Sequence, residues 1–380
     1  MKKYNINKEI VDSVELKCLL ISNGVKDDNA VYEIFGKDYR LNVSPLTCNS
    51  LLLSDGTNVQ LTDLVFLPEA LTPFHLRISE DKPALFYEND WIDFVSFHKK
   101  TDFYLQKTAS GAPYMGNAVL QGCDFVSFQC LWHCEYAASG KPCEFCYAGA
   151  EFEYLAKNNQ PQPVALAASD LVEIIRYAVQ NGDANSTQIT GGSTFSGKTE
   201  YRHISGYLQA IAESDIPLTG ELLLYITPPA DLSYIDDYFS LGTSRIACSI
   251  EVWDEKRAGI ITPGKIHFTS RKRHLQALNY IAGKYGKGRA FSNFIIGLES
   301  IETLKAGATF LAERGIIPSA SVWMPFGRPV MGSTTAPKLD YFRRIKEMLA
   351  ELYHRYELIP PGGCGLNVCI EKDIYTYSKL

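Results

Sequence analysis

A parallel (β/α) barrel, full or partial, preceded by a small β-rich or α+β domain, is the α/β fold that this sequence predicts. Two observations carry the expectation. From Asn117 onward, apolar runs of strand length alternate with segments of helical spacing, about six times in succession. A loop crowded with cysteines follows the first of those strands. Barrels of this kind carry their chemistry on the loops after the C-terminal ends of the strands, and right-handed crossovers bring those loops to one face.

Bulk composition narrows the function classes. The chain has 380 residues, of which 46% are hydrophobic and 21% charged, as in ordinary globular proteins with a full-sized core. A net charge of -6 argues against broad electrostatic binding of nucleic acid. The opening Met-Lys-Lys-Tyr-Asn-Ile-Asn-Lys-Glu-Ile lacks the apolar core of a signal peptide, and no run is long enough to span a bilayer. The expected location is cytoplasmic, where ten cysteines are reduced thiols or metal ligands rather than disulfides.

Taken in order, residues 1–112 read as the β-rich or α+β extension. Apolar stretches at 14–21 and 50–53 are broken by turn signals, the second ending in a hairpin-like Asp55-Gly56. No long amphipathic helix stands out, and the aromatic stretch 90–97 reads as a connection to the main body. Residues 113–335 form the barrel core. Strands are expected around 118–128, 187–190, 221–227, 245–251, 291–297 and 317–323. Helices are expected around 169–179, 200–214, 232–239, 270–284 and 301–314. A last helix at 338–356 and a Gly/Cys-containing tail make up 336–380. Cys248, inside an apolar run, reads as a small buried hydrophobe.

Cys130, Cys134, Cys143 and Cys146 fall in one short polar loop, the last two at C-x-x-C spacing. Soft thiolates select zinc, copper(I) or an iron–sulfur cluster. A zinc-binding structural module with a four-cysteine knuckle is one reading of such a loop. Cys130-x3-Cys134 and Cys134-x8-Cys143-x2-Cys146 both contain usable ligand intervals. Cys134 is preferred over Cys130, because Gly140-Lys141-Pro142 gives a compact turn back to the site. His133 reads as a neighbour of the ligands rather than one of them.

The Cys134-x8-Cys143-x2-Cys146 motif followed by a βα array resembles the radical S-adenosylmethionine (radical SAM) superfamily, with a biotin-synthase-like, TIM-like barrel. Three cysteine ligands leave one iron of a [4Fe-4S] cluster open. The resemblance implies that S-adenosyl-L-methionine fills that position and is reductively cleaved to a 5′-deoxyadenosyl radical. This radical takes hydrogen from a small or medium organic substrate. The resemblance further implies an external one-electron donor of ferredoxin or flavodoxin type. It places Gly191, Gly192 and Ser193 at the methionine amino group, Ser249 and Glu251 at the ribose, and Phe145, Ile295 and Gly297 near the adenine. The first cysteine interval is wider than the common C-x3-C, Ser193 stands in place of an acid, and Asn293 in place of a glycine.

Outside that stretch, Cys364 and Cys369 lie among glycines that would let the backbone turn about an auxiliary metal, such as a second iron–sulfur cluster able to donate sulfur. Arg328 is a candidate partner for a carboxylate or phosphate. Arg271, Lys272, Arg273 and His274 read as a solvated helix start, and Tyr225 and Trp323 as barrel wall.

Overall fold

The computed structural model describes residues 1–35, 49–61, 72–97, 102–121, 124–146, 157, 159, 165–324, 335–361 and 368–378. Cys48, Cys123, Arg328 and Cys364 lie outside the described residues.

The chain opens with an antiparallel pair, β1 (Lys3–Ile6) and β2 (Glu9–Asp12), which runs straight into a helix, Ser13–Asn23. This helix corrects the expectation of a short apolar stretch at 14–21. Asp12 caps it in a reciprocal box with Glu15, a start signal worth about 1 kcal/mol. The helix is buried nearly all round, Lys17 included, so its sequence lacks the polar stripe that marks an amphipathic helix.

Next come β3 (Lys26–Asp27), β4 (Asn49–Leu53), β5 (Asn58–Leu61), β6 (Phe74–Ser79), β7 (Lys82–Tyr87) and β8 (Asp90–Ser96). They form one six-stranded sheet in the order β3-β6-β7-β8-β4-β5. The hairpin expected at Asp55-Gly56 joins β4 to β5, with Gly56 at φ 88°. Residues 90–96, expected to be a connection, are instead the strand that pairs β7 with β4.

The main sheet holds β9 (Val119–Gln121), β10 (Phe125–Leu131), β11 (Ser186–Gly191), β12 (Leu222–Tyr225), β13 (Arg245–Ala247), β14 (Ala290–Ile296) and β15 (Ile317–Val322). They lie side by side in chain order. β9 is antiparallel to β10, and every later pairing is parallel. Helices Ala168–Gln180, Gly197–Ala212, Ser233–Ser240, Arg271–Tyr285, Ile301–Ala312 and Leu339–Arg355 follow the parallel strands in turn. The result is the expected βα series, a curled, partial parallel barrel. Beyond β15, Cys369 bridges antiparallel to Ser321, so the C-terminal segment lies along the last strand's outer edge.

One apolar cluster runs from Val14, Leu16 and Leu20 of the first helix through the main sheet to Ile345 and Leu349 near the end. Lys17 donates to Asp373 at 2.7 Å with its own side chain fully buried, tying the first helix to the last, Glu371–Tyr377. No helix among the described residues is long and apolar enough to cross a membrane.

Candidate functional site

The cysteine loop begins where β10 ends. Cys130 is still in the strand, and its side chain faces the helices within the main core. Burial, with Glu200 nearby, pushes its thiol well up. Cys134, Cys143 and Cys146 lie beyond the strand and are half-buried. Burial also pushes the Cys143 thiol up. Lys265 pulls the other way, and Cys146, Glu251 and Cys134 add to the rise. The structure thus brings Cys134, Cys143 and Cys146 into one electrostatic neighbourhood and sets Cys130 on the other side of the strand.

Three neighbours shape the loop. The first is the glycine turn after β11, whose Gly192 N–H donates to Leu131 at 2.6 Å, while Glu135 N–H donates to the Ser193 carbonyl at 2.9 Å. A Cβ on Gly192 would stand 2.8 Å from the Cα of Cys134, and one on Gly191 2.8 Å from the Leu131 nitrogen. Only glycine allows that approach. The second neighbour is helix Glu255–Ile261, whose last carbonyl takes the Glu144 N–H at 2.9 Å. The third is the turn at 264–269. A Cβ on Gly264 would collide with the Lys141 carbonyl, and Thr269 shares a 2.5 Å hydrogen bond with the Tyr136 hydroxyl.

A charged pair adjoins the thiols. Lys265 donates to the Ser249 carbonyl and to Glu251 Oε1, each at 2.8 Å. Burial works against its ammonium, but Glu251 and the nearby cysteines prevail and raise its pKa. Glu251 has φ 70°, a left-handed conformation that is strained for a residue with a Cβ. Its other oxygen accepts from Asn293 at 3.1 Å, and the Asn293 carbonyl oxygen accepts from Ser321 at 3.0 Å. Ser321 in turn lies 3.3 Å from the Cys369 sulfur. A polar line therefore crosses the strand ends from the cysteine loop to the C-terminal segment. Lys265 carries no signal in its sequence surroundings; only the fold sets it beside the cysteines.

Phe145 and Ile295, assigned to one ligand surface by the sequence, do meet. They pack in one cluster with Trp323, Val252, Ile261 and Leu298. The Trp323 indole nitrogen is buried and, among the described residues, has no hydrogen-bond partner. Gly297, at φ 107°, gives its N–H to Tyr341. Glu299 accepts from the backbone N–H groups of Trp253 and Asp254 at 3.0 Å, holding the loop after β13.

One expectation needs correction. The charge run at 271–274 is not a solvated face. Arg271 lies over the Trp253 ring and donates to the Val252 carbonyl, and Arg273 donates to the Pro228 carbonyl. Burial depresses the pKa of His274 to about 3. Only Lys272 of the four is exposed. Cys369, placed with Cys364 at an auxiliary metal, is buried against Phe125 and Leu223.

Among the described residues, no group of three His, Cys, Asp or Glu side chains is arranged to hold a metal ion. The donor set nevertheless suits a thiophilic metal, with three thiols on one loop and a glycine turn fitted against the first of them.

No family model matches the sequence. A curated relative, bacteriochlorophyllide c C-7(1)-hydroxylase of Chlorobaculum limnaeum, is 22% identical over 263 residues, 66% of this chain and 65% of that protein. The chain is similar to radical SAM enzymes. It spans less than two thirds of the length of that curated relative. Solved structures to which the chain is similar include HydG, a maturase of the [FeFe]-hydrogenase (14% identity, TM-score 0.45, 63% of this chain and 51% of that one). Methylornithine synthase (PylB) matches at 13% and TM-score 0.45, over 63% and 65% of the two chains. A radical SAM methyltransferase from Sphaerobacter thermophilus matches at 13% and TM-score 0.45, over 80% and 82%.

Proposed function

We propose that the chain is a radical SAM enzyme in which Cys134, Cys143 and Cys146 hold a [4Fe-4S] cluster. The observation that supports this reading is that Cys143 lies within electrostatic reach of both Cys134 and Cys146, beside the glycine turn and the Lys265–Glu251 pair, while Cys130 faces the helices. Bound there, the cluster and S-adenosyl-L-methionine supply one-electron cleavage of the sulfonium, the source of a radical that abstracts hydrogen from an organic substrate.

The chain's own residues bind, orient and shield. Gly191, Gly192 and Ser193 offer backbone groups next to Cys134, where an amino group can be received. Lys265, fixed from two sides by the Ser249 carbonyl and Glu251, sets a compensated positive charge beside the thiols. Ser249 and Glu251 stand at the strand end assigned to the ribose. Phe145, Ile295 and Trp323 pack in one apolar cluster suited to a flat base, and Gly297 lies beside Trp323. The electron comes from an external donor of ferredoxin or flavodoxin type, in a reducing, cytoplasmic setting.

Anaerobic purification tests the proposal. The expected product is a brown protein with about four irons per chain. When reduced in the presence of S-adenosylmethionine it forms 5′-deoxyadenosine, and Cys143→Ala abolishes both iron and product. A colourless protein that carries zinc alone would sink the reading. An auxiliary cluster at Cys364 and Cys369 would show as about eight irons, halved by replacing both residues with alanine.

A further inference from the structure

Strand alternation sorts the main sheet's side chains onto two faces. Those under the helices, such as Val126, Ile189, Leu224, Ile246 and Phe294, are at most 1% exposed. On the concave face, Gln129, Thr190, Tyr225 and Asn293 are part-exposed. Space therefore opens over the concave face along its C-terminal half. Phe125, Leu223 and Cys369, with Tyr225 packed against them, form an apolar floor.

Between floor and rim, Ser127 and Gln188 are register partners on β10 and β11, 4% and 7% exposed. Among the described residues, neither the Ser127 hydroxyl nor the Gln188 carbonyl oxygen has a hydrogen-bond partner. A buried polar atom left unmet bears its full desolvation penalty, so two of them side by side call for a ligand group. The charged groups facing this surface are already engaged. Glu251 holds Lys265, and Arg245 holds Glu221. Glu371 accepts from Ser319 and from the Ala320 N–H. Among the described residues, none of these leaves a cation for a carboxylate or phosphate.

We propose that Ser127 and Gln188 form the deep subsite of the substrate cavity, and that they take the uncharged end of a molecule rich in hydroxyl or amide N–H groups. This rests on the radical SAM reading of the cysteine loop above them. The Gln188 oxygen requires a donor, whereas the Ser127 hydroxyl serves either way. A strand rises about 3.3 Å per residue, which sets Ser127 roughly 13 Å below Leu131. A substrate of that length reaches from the subsite to the cysteine loop.

The test uses the full chain, both with reconstituted cluster and S-adenosylmethionine and without them. Melting temperature is followed with matched probes: glucose against glucose 6-phosphate, N-acetylglycinamide against N-acetylglycine, and uridine against uridine 5′-monophosphate. At least one neutral probe is expected to raise Tm more than its anionic partner. Ser127→Ala with Gln188→Met should abolish that shift while raising the Tm of the ligand-free chain. Should that double variant fail to fold, Gln188→Asn keeps the amide, withdraws its oxygen by one methylene and should weaken the neutral probe at least threefold. Anionic probes that match or exceed their neutral partners, no neutral shift at all, or a shift that survives these substitutions overturns the proposal. Failure to load iron or bind S-adenosylmethionine overturns the preceding reading instead, and the neutral shift of the unreconstituted chain then decides this one.

Discussion

Glu200 sits on the helix that follows the glycine turn, with one oxygen accepting the Thr227 N–H at 2.7 Å and the other without a hydrogen-bond partner among the described residues. Burial pushes its carboxyl up to about 7; the Thr227 and Thr194 backbone groups and Arg273 oppose the rise. The folded-state value exceeds the unfolded one. The contribution is therefore fully present below about pH 4.5 and is lost as pH climbs through about 7. The loss is on the order of 3 kcal/mol. Glu200→Gln should flatten the slope of stability between pH 5 and 8, read from denaturant midpoints; a slope unchanged in the variant would refute the assignment. Sequence alone gave no sign of this residue. Its burial depends on where the neighbouring strand ends, not on its local pattern.

At the scale of elements, the glycine turn and the cysteine loop behave as one fitted part. Gly192→Ala should be much worse than a loss of backbone freedom, because the new methyl meets Cys134 main chain at 2.8 Å. A fall in iron loading with secondary structure retained is expected, measured by metal content and circular dichroism. Normal loading would show that the loop can retreat. The glycines, the thiols and the alternation of strands and helices could all be read in the sequence, since each leaves a local mark: spacing, a breaker, an apolar period. Helix Ser13–Asn23 could not. Its apolar residues and its buried Lys17 have no polar face to set the period, and its cap at Asp12 is legible only once a helix is suspected. β8 escaped notice likewise, because its aromatic, acidic sequence reads as a linker until β7 and β4 flank it. Lys265 was hidden for the opposite reason: its loop has no period, and only tertiary packing sets it beside Glu251.

For the whole molecule, the Lys17–Asp373 pair is the join between beginning and end. Lys17 is fully buried and the Asp373 side chain is 12% exposed, so removing one partner strands the other charge. Lys17→Met should cost about 3–5 kcal/mol, and adding Asp373→Leu should recover much of that loss. A double-mutant cycle in denaturant measures the coupling, and additive single effects would mean the pair is idle. The pair also constrains how the protein is made. Its two residues are 356 positions apart. At about 5–20 residues per second, a ribosome needs roughly 20–70 s to pass from one to the other. Throughout that interval the ammonium destined for a dry interior lacks its Asp373 partner, so the first helix can be sealed into place only once that residue has been made.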